Sequence, residues 1–180
     1  TCEIVRKFNS IYGETLTEPK IILSKTPRLV GTDGKNKMSK SLGNTIYLSD
    51  DENEIERKVM SMFTDPNHLR VSDPGNTKNN PVFAYLDAFG EDKEKISAMK
   101  AHYEKGGLGD VVVKKYLNEV LQNMLKPIRE KRKNLENNID YIYKIAHEGT
   151  EKARKITSQT LEKVKSNMQI GYEEINKAAR

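Results

Sequence analysis

Cysteine occurs once in these 180 residues, as Cys2, which excludes an internal disulfide framework and any zinc site of ordinary ligand spacing. Histidine is nearly as scarce. His68, His102 and His147 have no serine, cysteine or paired carboxylate at a telling spacing, so they read as surface or satisfied core residues and not as catalytic ones. No apolar run approaches the length of a membrane span, and no charged-then-apolar leader opens the chain. The expectation is therefore a reducing, cytoplasmic setting without membrane contact. No internal repeat is visible.

What is present is a soluble composition, 36% apolar and 32% charged, long enough for one real core or two small ones. The formal net charge of +5 is unevenly spread: from Val111 onward there are 15 Lys and Arg against 9 Asp and Glu, which leaves residues 1–110 at a net of −1. Basic excess of this kind suits a polyanionic partner or simply a solvated helical surface.

The most distinctive stretch is Thr32-Asp33-Gly34-Lys35-Asn36-Lys37-Met38-Ser39-Lys40-Ser41-Leu42-Gly43-Asn44. It has no apolar periodicity and concentrates three lysines and two serine hydroxyls between glycines. Glycine permits positive φ and close approach of the backbone to a ligand, and ammonium and hydroxyl donors suit a polyanion such as a triphosphate. On composition alone, a solvated lysine loop fits as well. No carboxylate cluster around it suggests a metal cage, so no metal ligand is assigned.

The flanking chain reads mainly as helix. Ile4, Val5, Phe8, Ile11 and Tyr12 have helical spacing up to Gly13. Lys20–Ser24 reads as a short strand or buried segment, and Thr45–Leu48 as extended chain. Ser49-Asp50-Asp51-Glu52 has the form of a capping box opening a helix that runs to about Phe63 and buries Ile55, Val59, Met62 and Phe63. Residues 65–81, rich in Asp, Pro, Asn and Gly, read as a connection between domains. Pro81 suits a first helical position before Val82, Phe83, Leu86 and Phe89. A further helix carries Ile96, Met99 and Tyr103 and ends at Gly106-Gly107. Asp110 is placed to cap the next, with Val112, Tyr116, Val120, Leu121, Met124 and Leu125 apolar. Pro127 should kink that helix, Gly149-Thr150 should break its continuation, and a last helix spans about Glu151 to Met168. The tail 171–180 reads as flexible.

The pentapeptide Lys37-Met38-Ser39-Lys40-Ser41 is identical to the KMSKS signature of class I aminoacyl-tRNA synthetases. Its surroundings resemble the tryptophanyl branch. Lys58-Val59-Met60-Ser61, Thr64-Asp65, Asp73-Pro74-Gly75, Asn80-Pro81-Val82-Phe83, His102-Tyr103, Gly106-Gly107-Leu108-Gly109 and Pro127-Ile128-Arg129 recur in that family in this order. The resemblance implies a mainly α chain: residues 1–64 as the closing part of a Rossmann-like α/β catalytic domain, then an α-helical bundle domain over 82–170 for the tRNA anticodon. It implies Lys37 and Lys40 as the catalytic cations and residues 37–41 as the ATP-binding loop, with Mg2+ arriving on the ATP. It also implies tryptophan and tRNA(Trp) as partners and a homodimer for the full-length protein. The family's other ATP motif, HIGH, has no counterpart here. The chain is therefore expected to be a C-terminal half that does not form the adenylate alone.

Lys126, Arg129 and Lys133 fall on roughly one helical face and are candidates for tRNA phosphate contacts. A solvated face, or ion pairs with Glu130 and Glu136, explains them equally well. A tyrosine-specific relative shares the signature loop, and a non-catalytic helical RNA-binding module is the alternative from outside the enzymes.

Overall fold

A computed structural model describes residues 1–171. Its elements are α1 (Cys2–Tyr12), a single 3-10 turn (Lys40–Leu42), α2 (Glu52–Met60), α3 (Pro81–Phe89), α4 (Lys93–Lys105), α5 (Asp110–Glu136) and α6 (Ile139–Asn167). The chain is mainly helical, as expected. Among the described residues no strand forms, and Val30 and Lys37 make an isolated antiparallel bridge. The expected strand at Lys20–Ser24 is absent: Ile21, Ile22 and Leu23 are exposed, because a short apolar run becomes a strand only beside another strand and under a covering layer. The tail expected to be flexible lies, beyond Gly171, outside the described residues.

The chain divides into two compact units, Leu23–Asn134 and Thr1–Ile22 with the part from Leu135 onward. The first has one hydrophobic core. Ile55, Val59 and Met62 meet Val82, Phe83, Tyr85 and Leu86 of α3, Ile96 and Tyr103 of α4, and Val113, Leu117, Leu121 and Leu125 of α5. The segment 65–81, expected as the connection between domains, therefore runs within one compact unit. It is held there by His68, 6% exposed, whose Nδ1 lies 2.7 Å from Asp73 O and Nε2 3.1 Å from Leu108 O, with the ring against Tyr103.

Local chemistry explains the boundaries. Asp51, not Ser49, caps α2: its carboxylate accepts from Glu54 N at 2.8 Å. The preceding residues are taken up by a turn in which Asp50 accepts from Tyr47 N and pairs with Lys58. The helix stops at Met60, so Met62 is still buried while Phe63 is 37% exposed. Asn80 caps α3 with Pro81 in the first turn, as the spacing implies, and Asp92 caps α4. Asp110 opens α5 and accepts from Tyr103 Oη at 2.8 Å. Of the expected apolar side of α5, Leu121 and Leu125 are buried and Tyr116 and Val120 pack against the core, whereas Val112 and Met124 are exposed; Val113 and Leu117 complete the buried stripe at i, i+4 spacing.

In the second unit, Asn9 holds the chain after α1, donating to Leu16 O and accepting from Thr15 N and Leu16 N, and Arg6 pairs with Glu18. Asn167 of α6 donates to Thr15 Oγ1 at 2.6 Å. The expected break at Gly149-Thr150 does not occur. α5 runs through Pro127 and ends at Glu136, and α6 passes through Gly149 to Asn167. The break falls at Asn137-Asn138, where Asn138 accepts from Tyr141 N and so starts a new helix. A lone glycine weakens a helix without a steric reason to end it.

Candidate functional site: the lysine loop

The loop is built on a scaffold that ends at Val30. Tyr85, buried in α3, donates its hydroxyl to Val30 O at 2.9 Å, and its pKa is raised by burial and then by the neighbouring Asp33 charge. From that anchor the chain makes a narrow antiparallel turn: Gly31 N donates to Asn36 O at 2.8 Å and Met38 N to Leu29 O at 3.2 Å. Thr32 O accepts from Phe63 N, tying the loop to the end of α2. Gly34 has φ of +69°, and a Cβ there would meet the Phe63 ring at 2.7 Å, so this turn needs glycine on both counts.

Asp33 organises the tip. Its carboxylate accepts from Lys35 N, Asn36 N, Asn36 Nδ2 and Asn44 Nδ2 at 3.1–3.3 Å. Partial burial works to raise the pKa of this group, but the hydrogen bonds from Asn36, the Lys35 amide and Asn44 outweigh it and hold the carboxyl below its usual range. Asp33 therefore stays anionic and keeps the turn closed.

The five signature residues fall into two settings. Lys37 lies in the bridge with Val30, and Met38 packs on the hydrophobic core. Lys40, Ser41, Leu42 and Gly43 form an exposed 3-10 turn closed by Gly43 N to Lys40 O, with Gly43 at φ +66° and Ser39 Oγ 2.9 Å from Ser41 Oγ. The side chains of Lys37 and Lys40 are both directed to solvent-exposed positions. An open cleft of about 350 Å³ beside the loop is lined by Arg28, Leu29, Val30, Lys35, Lys37 and Asn79 among others; Lys40 is not part of it. The arrangement presents several ammonium and hydroxyl donors on a turn whose base is fixed, which suits a polyphosphate.

Asn44, taken from the sequence only as the end of the loop, is the main residue the sequence reading missed. It is 4% exposed, accepts from Ser39 N at 2.8 Å and donates to Asp33 at 3.1 Å, while its own carbonyl accepts from Thr32 N at 3.0 Å. An Asn directly after a glycine-closed turn is a local signal for such side-chain to backbone bonding.

The basic face on α5 is less uniform than its spacing implies. Lys126 and Lys133 are exposed, but the Arg129 side chain is 16% exposed and turned to the protein. Its guanidinium reaches Glu52 at 3.1 Å and Gln122 Oε1 at 2.9 Å, so it holds α5 to the start of α2. The intramolecular partner is Glu52 from a distant element, beyond the reach of an argument from helical spacing.

A lysine loop clamped at its base, followed by these helices, is matched by a family model described as "tRNA synthetases class I (W and Y)" over residues 1–126. The chain belongs to this family of class I tRNA synthetases. Its curated relatives carry a more particular name: a tryptophan–tRNA ligase of Clostridium longisporum is 56% identical over 94% of this chain, and one of Lactococcus lactis 52% identical over 96%. The chain spans about half the length of these relatives, 51% and 52%. Among solved structures, tryptophanyl-tRNA synthetase of Campylobacter jejuni complexed with ADP and tryptophan matches 93% of this chain and 52% of its own, with a TM-score of 0.71 and 32% identity. That of Mycoplasma pneumoniae, 20% identical with a TM-score of 0.73 over 97% of this chain, shares the fold. No helix among the described residues is long and apolar enough to cross a membrane.

Proposed function

We propose that this chain is the signature-loop half of a tryptophan–tRNA ligase. The whole enzyme activates tryptophan with ATP and transfers it to tRNA(Trp). The observation that carries the reading is the match to tryptophan–tRNA ligases along nearly the whole chain at more than half identity, with the lysine loop presented to solvent within it. The tyrosine-specific reading and the non-catalytic RNA-binding module are not favoured by relatives so named.

In the first step the tryptophan carboxylate oxygen attacks the α-phosphorus of ATP, and the bond to the bridging oxygen breaks with its electron pair leaving on pyrophosphate. Negative charge grows on that oxygen and on the departing group. Lys40, on the exposed turn, and Lys37, at its fixed base, neutralise it; Ser39 and Ser41 add hydrogen bonds, and Met38 anchors the segment to the core. Cations that reach these oxygens only as the turn closes stabilise the transition state more than bound ATP, which raises the rate. Mg2+ arrives with the ATP. A hydroxyl of the terminal ribose of the tRNA then attacks the acyl carbon of the adenylate, forming the ester as the acyl–phosphate bond breaks and AMP leaves; the tRNA backbone meets Lys126 and Lys133, with Arg129 holding the helix behind them. Residues 1–64 contribute the closing part of the Rossmann-like catalytic half and 82–170 the tRNA-binding part, a division of roles that crosses the one core shared by α2–α5. The complete protein is a cytoplasmic homodimer.

Tryptophan-dependent ATP–pyrophosphate exchange tests this on the chain alone and on the chain joined to its upstream half. Exchange only in the joined protein, with tryptophan and not tyrosine, is the expected result. Exchange with tyrosine, or none in the joined protein, overturns it.

A further inference from the structure

The hydrogen bonds around Asn44 divide the lysine loop into a fixed arm and a free tongue. On one side, residues 29–38 are bonded to each other and to the core: Met38 N to Leu29 O, Gly31 N to Asn36 O, and Tyr85 Oη to Val30 O. On the other, the backbone and hydroxyl bonds of residues 40–43 stay inside the loop, as Gly43 N to Lys40 O and Ser41 Oγ to Ser39 Oγ. Asn44 closes the ring between them. Its side chain accepts the amide of Ser39, where the tongue leaves the fixed arm, and it is itself the residue where the tongue returns. The same side chain donates to Asp33, and its carbonyl is held by Thr32 N.

The space for this clamp is reserved. Gly31 is buried, and a Cβ on it would lie 2.1 Å from Asn44 Nδ2 and 2.4 Å from its Cγ. Contacts that short cannot be accommodated without moving the amide off Ser39 or Asp33. Gly31 does not adopt a positive φ, so its requirement is for room and not for backbone freedom.

We propose that Asn44 is a positioning residue for adenylate formation: with Gly31 and Asp33 it clamps the base of the Lys40–Gly43 tongue, and so fixes where the Lys40 ammonium arrives when the turn closes on the phosphates. This rests on the reading of Lys40 given above. Loss of the clamp leaves the cation on a longer tether, and a misplacement of about 1 Å at a reacting centre lowers a rate by as much as about 100-fold.

The test is pre-steady-state tryptophanyl-adenylate formation in the complete enzyme. Asn44→Ala is expected to lower the maximal rate about 10- to 100-fold while the ATP dissociation constant changes less than about threefold, because the tongue contributes chiefly in the transition state. Gly31→Ala should give the same phenotype by displacing the amide, and the pair should be partly non-additive: with alanine at position 44 the 2.1 and 2.4 Å contacts to the amide are gone, while the methyl still lies 2.9 Å from the Cβ there. Asn44→Asp supplies a chemical readout that general destabilisation would not. The introduced carboxyl keeps the acceptor for Ser39 N but replaces the donor to Asp33 with a second carboxyl, so the variant's rate should fall at neutral pH and recover relative to wild type as pH is lowered and the pair takes up a proton. Wild-type rate in Asn44→Ala, additive losses in the double variant, or a pH-independent ratio for Asn44→Asp overturns the proposal. An inactive wild-type enzyme would instead overturn the functional reading on which it rests.

Discussion

Lys37 and Lys40 are close in sequence but mechanically unlike. Lys37 sits in the bridge with Val30, and Lys40 on a turn whose hydrogen bonds remain within the loop. On the proposed reading, Lys40 is the cation whose turn is not bonded to the core. Lys40→Ala in the complete enzyme is therefore expected to remove about 3 kcal/mol of transition-state stabilisation, a rate loss of two orders of magnitude, with little change in ground-state ATP binding. A tenfold weaker ATP complex with an unchanged rate would contradict it. Glu54 makes a separate prediction about stability. The hydrogen bond from Arg57 and then the charges of Arg57 and Lys58 overcome partial burial and hold its pKa at about 2, against an ordinary 4.5. A carboxyl depressed on folding contributes stability that is fully present above the ordinary value and lost as pH falls from about 4.5 toward about 2. Glu54→Gln should accordingly melt below wild type at neutral pH, with the gap shrinking through that window; a gap constant from neutral pH to pH 2 would count against the Arg57–Glu54 pair.

At the scale of the element, α6 depends on its cap and tolerates its glycine. Asn138 satisfies Tyr141 N, so Asn138→Ala should cost about 1 kcal/mol. Gly149 has open space where a Cβ would stand, and Gly149→Ala should add about 0.5–1 kcal/mol by raising helix propensity and restricting the unfolded chain. Thermal unfolding followed by circular dichroism reads both, and destabilisation by Gly149→Ala would mean that the helix does break there. The sequence conveyed the helices and their order well, because apolar spacing, Pro81 and the Gly106-Gly107 stop are local signals. It misled where two local signals competed: a Ser-x-x-Glu pattern against Asp51 for one cap, and Gly149 against Asn138 for one break. It was silent where the decisive partner lies far along the chain. Arg129 finds Glu52, and Tyr85 finds Val30, through packing that no spacing rule contains. The lysine loop was legible as a motif, whereas the amide clamp of Asn44 depends on Gly31 being brought against it.

Across the whole molecule, burial is distributed unequally between the two compact units. Leu23–Asn134 contains a core to which α2, α3, α4 and α5 all contribute, and Tyr85, Phe83, Leu117 and Leu125 in it are at most 2% exposed. In the other unit, among the described residues, Val5 is the one buried side chain, and the whole of α6 buries none; Ile142, Ile145, Ile156 and Leu161 are 43–66% exposed. Backbone amides exchange through local opening, whose free energy follows the buried apolar contacts that must be broken. A helix without buried side chains rests mainly on propensity and capping, which are marginal in water. Native-state hydrogen exchange on this chain should therefore show amides of α6 exchanging by low-energy local opening, at rates far above those of α3 and of Val113–Leu125 in α5, which should approach the global limit. Lys114 sharpens the contrast: buried within α5, it donates to Met60 O at 2.9 Å and so fastens that helix to the end of α2, although burial lowers its pKa. Equal protection in α6 and in the middle of α5 would refute the division into a consolidated unit and a weakly buried one.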